Sequence, residues 1–118
     1  MEYMKPDEIV ELFKKRLNKS TIIDSRIETK TSGLTKNSYN VIWLKINPED
    51  LKNVVKLLST IHFPHLAIIS GNDMGEEIEL IYHFSIYYGA RFKEISIDLS
   101  IHLPKKDLRI PTITDLIP

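Results

Sequence analysis

Apolar residues recur along the chain with two different periods, and the switches between them divide it into elements. Ile9, Leu12, Phe13 and Leu17 follow helical spacing behind Pro6, Asp7 and Glu8. A proline and two acids suit a helix start, so residues 6 to 18 are predicted as an amphipathic helix. Thr21-Ile22-Ile23 and Ile27 then mark a strand over 21 to 29, followed by a polar loop from Lys30 to Ser38 that contains Ser32-Gly33. A second strand is predicted from Tyr39 to Ile46. There Ile42, Leu44 and Ile46 alternate with Val41, Trp43 and Lys45, which places Trp43 on the side away from the main core.

Asn47-Pro48-Glu49-Asp50 is the sharpest local signal: a capping amide, a proline at the first helical position and two acids in the first turn. Leu51, Val54, Val55, Leu58 and Ile61 give the helix that follows a stripe wide enough to cover one face of a sheet, and Pro64 ends it. Leu66 to Ser70 is a short apolar run suited to a central strand, and Gly71 to Gly75 carries the residues of a chain reversal. The returning strand is predicted over Ile78 to Tyr88. Its core side is Ile78, Leu80, Tyr82, Phe84, Ile86 and Tyr88, and His83, Ser85 and Tyr87 lie on the other side. After Gly89-Ala90-Arg91, strict alternation of Ile95, Ile97, Leu99, Ile101 and Leu103 with Ser96, Asp98, Ser100 and His102 marks the strongest strand.

The predicted order is α-β-β-α-β-β-β. Connections of hairpin length among the last three strands require antiparallel neighbours. The expected fold is therefore α+β: a mostly antiparallel sheet of about five strands with two helices packed on one face. No internal repeat or interior linker divides the chain, so residues 1 to 118 read as a single domain. Residues 104 to 118 differ from the rest. Pro104, Pro111 and Pro118 punctuate apolar Leu108, Ile110, Ile113, Leu116 and Ile117, which predicts an extended tail in search of a surface to lie on.

Charge and composition narrow the chemistry. Sixteen basic residues cancel sixteen acidic ones, so no positive field draws the chain to a phosphate backbone, and nucleic acid is not expected as a partner. The sequence has no cysteine, which removes thiolate catalysis and every zinc or iron–sulfur site needing a sulfur ligand from this chain. No stretch approaches the roughly 18 apolar residues of a membrane span, and the N-terminus lacks the apolar run of a leader. A cytoplasmic location is expected.

Several residue groups invite a functional reading, and each has a plainer one. His62 and His65 have the separation of two metal ligands on a helix, but Pro64 breaks that helix. Asp73, Glu76, Glu77 and Glu79 cluster around a turn without the ordered spacing of a calcium loop. Gly71 and Gly75 lack the lysine and hydroxyl residue of a phosphate loop. The aromatic group Tyr82, Phe84, Tyr87, Tyr88 and Phe92 reads as core packing rather than an RNA platform. His83 and His102 are expected as cross-strand neighbours on the less apolar sheet face, with Asp98 and Tyr87 beside them. A proton relay or small-enzyme site there competes with a half-solvated sheet face, which explains the same residues without chemistry.

Three segments of the second half bear a family resemblance. His65-Leu66-Ala67-Ile68-Ile69-Ser70-Gly71-Asn72-Asp73 is an apolar strand running into a small-Gly-x-Asp turn. Ile78 to Tyr88 alternates Tyr, His and apolar residues, and Pro111-Thr112-Ile113-Thr114-Asp115-Leu116-Ile117-Pro118 is a proline-hydroxyl-apolar-Thr signature ending on proline. Together they resemble the 30 kDa subunit family of NADH–quinone oxidoreductases, the enzymes of respiratory complex I, including its counterpart in membrane-bound nickel-iron hydrogenases. The similarity covers about residues 40 to 118. It departs from the family at Pro118, where family members continue into a Glu-Arg-Glu stretch and a helix.

The resemblance implies an accessory structural subunit on the cytoplasmic face of the membrane. It would clamp a large hydrogenase-like subunit beside a small iron–sulfur subunit and hold no cofactor itself. Arg109, Ile110, Thr112, Thr114, Asp115 and Leu116 of the tail are the implied partner-binding residues. No catalytic, cofactor or metal residue is expected in this chain, although the complex it implies is an oxidoreductase. The competing expectation is an independent small enzyme or ligand-binding domain built on His83, His102 and Asp98.

Overall fold

Pro6 opens a helix whose first free backbone donor is met locally: the Lys5 N–H donates to the Glu8 carboxylate at 2.9 Å. In the computed structural model, which describes residues 3–18, 21–31, 38–88 and 94–106, this helix is α1, Pro6–Arg16. It is followed by β1 (Ile22–Thr31), β2 (Ser38–Ile46), α2 (Leu51–Ile61), β3 (His65–Asp73), β4 (Glu77–Ile86) and β5 (Ile95–Pro104). The order is the predicted α-β-β-α-β-β-β. Asn47 has the extended backbone of a cap, yet its side chain makes no capping bond, and α2 is entered through a 3-10 turn at Pro48–Asp50.

The five strands form one sheet in the order β1-β2-β5-β4-β3. Pairs β1/β2, β4/β5 and β3/β4 are antiparallel, as hairpin connections demand. The central pair β2/β5 is parallel, with Ile42 beside Ile97 and Leu44 beside Leu99. That pairing needs a crossover, and the stretch between the two strands supplies it with α2. The strand of strictest alternation, β5, thus lies in the middle of the sheet.

One face of the sheet carries the core. Ile42, Leu44 and Ile46 of β2, Ile95, Ile97, Leu99 and Ile101 of β5, and Tyr82, Phe84 and Ile86 of β4 form one buried cluster with both helices. α1 contributes Ile9, Val10 and Phe13, and α2 contributes Leu51, Val54, Val55 and Leu58. Both helices therefore cover the same side, as the sequence pattern requires of an α+β layer pair. On the other side, no described helix packs on the sheet, and Trp43 stands there as expected. Its ring lies 4.2 Å beneath the guanidinium of Arg26, its partner across β1 and β2.

Three expectations are corrected. The apolar run at Leu66 to Ser70 belongs to an edge strand, not a central one, and the strand continues to Asp73. An apolar run reports burial demand but not which strands flank it. Tyr87 and Tyr88 exchange roles: Tyr87 is buried and Tyr88 exposed. The cause is the left-handed backbone of Tyr87 (φ 55), which ends the ladder after Ile86 and breaks the alternation. Pro104 closes β5 rather than opening an extended tail. Residues 107–118, with Arg109, Ile110, Thr112, Thr114, Asp115 and Leu116, lie outside the described residues.

Candidate functional site

The polar side of the sheet gathers the chemistry-bearing side chains of β3, β4 and β5. Register sets His83 directly opposite Asp98, and the His83 Nδ1 lies 2.9 Å from the Asp98 carboxylate. On its other flank, Ser70 pairs with Ile81 in the ladder, so it reaches His83 diagonally, with Oγ 2.9 Å from Nε2. Ser70, His83 and Asp98 thereby form a hydrogen-bonded row across three strands. Asp98 accepting at Nδ1 would leave Nε2 to accept the Ser70 hydroxyl proton.

A second group is centred on Glu79. Ser100 donates to it at 2.6 Å and Asn72 at 3.0 Å. His102, its direct cross-strand partner, lies 3.4 Å away through Nε2. The other nitrogen of His102 faces Glu77 at 3.7 Å. The Ser100 hydrogen bond, chiefly, holds the Glu79 carboxyl below its ordinary range, with Asn72 and His102 adding to that effect and burial opposing it.

A group with a lowered folded-state value binds protons less readily when folded than when unfolded. Its contribution to stability is full above the ordinary carboxylate range and is lost as pH falls through the lowered value. In a Ser100→Ala variant the main cause of the shift is gone. The drop in urea midpoint between about pH 6 and about pH 3 should be smaller than in the wild type. Equal pH dependence of the two proteins contradicts the assignment.

These pairings revise the expected site. His83 and His102 share a face but are not cross-strand neighbours, because the β4/β5 register gives Asp98 to one and Glu79 to the other. The expected trio divides: His83 and Asp98 meet, and His102 belongs to the glutamate group. Tyr87 leaves the face altogether. Its hydroxyl accepts the Met4 N–H at 3.1 Å, and its own N–H donates to His62 Nδ1 at 3.2 Å. With one nitrogen so engaged, His62 packs its ring 5.1 Å from that of Tyr88, which also lies 5.9 Å from the ring of His65. The two histidines flank an aromatic ring.

The acidic turn also resolves into separate contacts. The Asp73 carboxylate accepts the Gly75 N–H at 2.9 Å and meets Lys105 Nζ at 2.9 Å. Lys105, chiefly, holds the Asp73 carboxyl below its usual range, and the Gly75 amide adds to this. Gly75 has φ +96, a conformation that favours glycine and lets Met74 N–H return to Glu77 at 2.8 Å.

Ser70 escaped sequence reasoning. A register shift between Leu66 and Ile68 places an extra residue, Ala67, in β3, and simple alternation from Leu66 loses parity there. As a reaction centre, the Ser70–His83–Asp98 row has the acceptors a nucleophilic hydroxyl needs. It lies on a pleated sheet face, and two grooves that run beside α1 touch none of the three. No group of three or more metal-ligating side chains converges among the described residues. None of the described helices is long and apolar enough to cross a membrane.

No family model matches the sequence, and no curated protein matches it. Among solved structures the chain is similar to a chain in the structure of the membrane-bound sulfane sulfur reductase (MBS), an archaeal respiratory membrane complex. The TM-score is 0.66 at 18% identity, over 96% of this chain and 59% of that one. The likeness is one of fold, and the chain spans about three-fifths of its neighbour's length.

Proposed function

We propose that this chain is an accessory structural subunit of a membrane-associated oxidoreductase complex, of the NADH–quinone oxidoreductase 30 kDa or energy-converting hydrogenase type. It docks on a large hydrogenase-like subunit beside a small iron–sulfur subunit, on the cytoplasmic face, and holds no redox centre. The observation that carries this reading is the fold shared with a chain of a respiratory membrane complex across 96% of the present one. Three sequence segments support it, above all Pro111 to Pro118, as does the lack of any cysteine to ligate a cluster. The polar sheet face fits the same role, since its histidines and carboxylates are engaged with one another.

The tail residues Arg109, Ile110, Thr112, Thr114, Asp115 and Leu116 supply the primary contact in this reading. An apolar, proline-punctuated segment has little to gain from water, and each of its prolines lacks the N–H that a ladder uses. Co-expression with the large hydrogenase-like subunit tests the proposal: the two are expected to purify together.

A further inference from the structure

The two edges of the sheet are built differently. β1 carries a charge at every second position, Asp24, Arg26, Glu28 and Lys30, the usual protection of an exposed ladder against unwanted strands. β3 has no ionised carboxylate, lysine or arginine before Asp73, its last residue. Both edges expose isoleucines, but Ile23 and Ile27 of β1 stand among those charges, whereas Ile68 (61% accessible) and Ile69 (47%), one on each side of β3, do not. Ile68 lies across from His83 on the polar side, and Ile69 across from Tyr82 on the helix side.

The β3 edge is also held in place. Ser70 is fixed to His83, Asn72 to Glu79 at 3.0 Å, and Asp73 to Lys105 at 2.9 Å. An edge strand leaves a row of backbone donors and acceptors unpaired. A rigid edge offers that row without a further ordering cost on binding.

We infer that β3 is a strand-addition site, which takes an extended, uncharged segment of a partner subunit as a sixth strand of the sheet. The inference rests on the subunit reading above and adds a second contact to the tail. An added strand takes backbone hydrogen bonds from the edge, and its apolar side chains cover Ile68 on one side and Ile69 on the other. A second copy of the chain is the poorer occupant. Beyond the irregularity at Ala67, self-pairing has only the six residues Ile68 to Asp73 on each side, against roughly 20–30 residues per side in a stable interface. A partner already tethered through the tail needs no such area, because the second contact is then intramolecular.

The test is co-expression of the chain with the large hydrogenase-like and small iron–sulfur subunits in three forms: wild type, Ile69→Lys, and Ile23→Lys on the opposite edge. Ile69→Lys is expected to lower the recovered large subunit at least tenfold, with Ile23→Lys unchanged. Equal recovery from all three forms overturns the strand-addition site and leaves the subunit reading standing. No recovery even with the wild type overturns both. Loss on Ile23→Lys alone, or an Ile69-dependent dimer of the free chain with the complex intact, also overturns it. Should Ile69→Lys fail to fold, amide exchange of the wild type decides: β3 amides gain protection in the complex and β1 amides do not, and the reverse refutes the site.

Discussion

Replacing Phe13 with alanine is expected to destabilise the protein by about 3–5 kcal/mol, the range for removing a fully buried phenylalanine. Phe13 is 0% exposed and is the largest side chain that α1 sends into the core. α1 has only 11 residues and cannot hold itself together in water, so its helicity depends on the face it buries. The ring fills the space between that helix and the sheet, and alanine leaves a cavity that rigid strands cannot close. Against a total stability of about 5–15 kcal/mol, this is a large fraction. Urea unfolding followed by circular dichroism measures it, and a midpoint within error of the wild type would show that α1 is not docked as described.

The second large effect lies on α2. Leu58→Asp places a carboxylate at a position with no exposure, among Val54, Val55 and the strand residues of the core. No cation of the described core pairs with it, so the cost is several kcal/mol. The variant is expected to be insoluble or unfolded when expressed. Lys56→Asp, on the exposed side of the same helix, is the control and should change stability by no more than about 0.5 kcal/mol. Similar behaviour of the two variants would contradict the orientation of α2.

Much of this architecture was legible because burial imposes a period on the chain. Ile95, Ile97, Leu99 and Ile101 alternate without exception, and their strand lies at the sheet centre with those four residues buried. The stripe Leu51, Val54, Val55 and Leu58 likewise covers the sheet from α2. Two single-residue events defeated the same logic elsewhere. The positive φ of Tyr87 reversed the sides of Tyr87 and Tyr88, and tyrosine gives no warning of that conformation as glycine would. The extra residue at Ala67 shifted the parity of β3, which brought Ser70 to His83.

Register was the least legible property of the candidate site. His83 and His102 both fall on the polar parity of their strands, and parity alone cannot say which residue stands opposite which. Pairing of Ile86 with Ile95 fixes that choice, since every later partner on β4 and β5 follows from it. His83 then meets Asp98, and His102 meets Glu79. The edge position of β3 was hidden for a related reason. Strand order depends on α2 carrying the chain across so that β5 pairs with β2, and no local pattern in Leu66 to Asp73 encodes it.

Both proposed contact surfaces, the proline-rich tail and the β3 edge, concern what the chain binds rather than what it catalyses. The most direct measurement is therefore affinity purification of the tagged chain, produced together with the large hydrogenase-like subunit and the small iron–sulfur subunit, followed by size-exclusion chromatography. A subunit role predicts a single species in which all three chains elute together in equal amounts. Elution of this chain alone, at the position of its own 13.7 kDa, would contradict it.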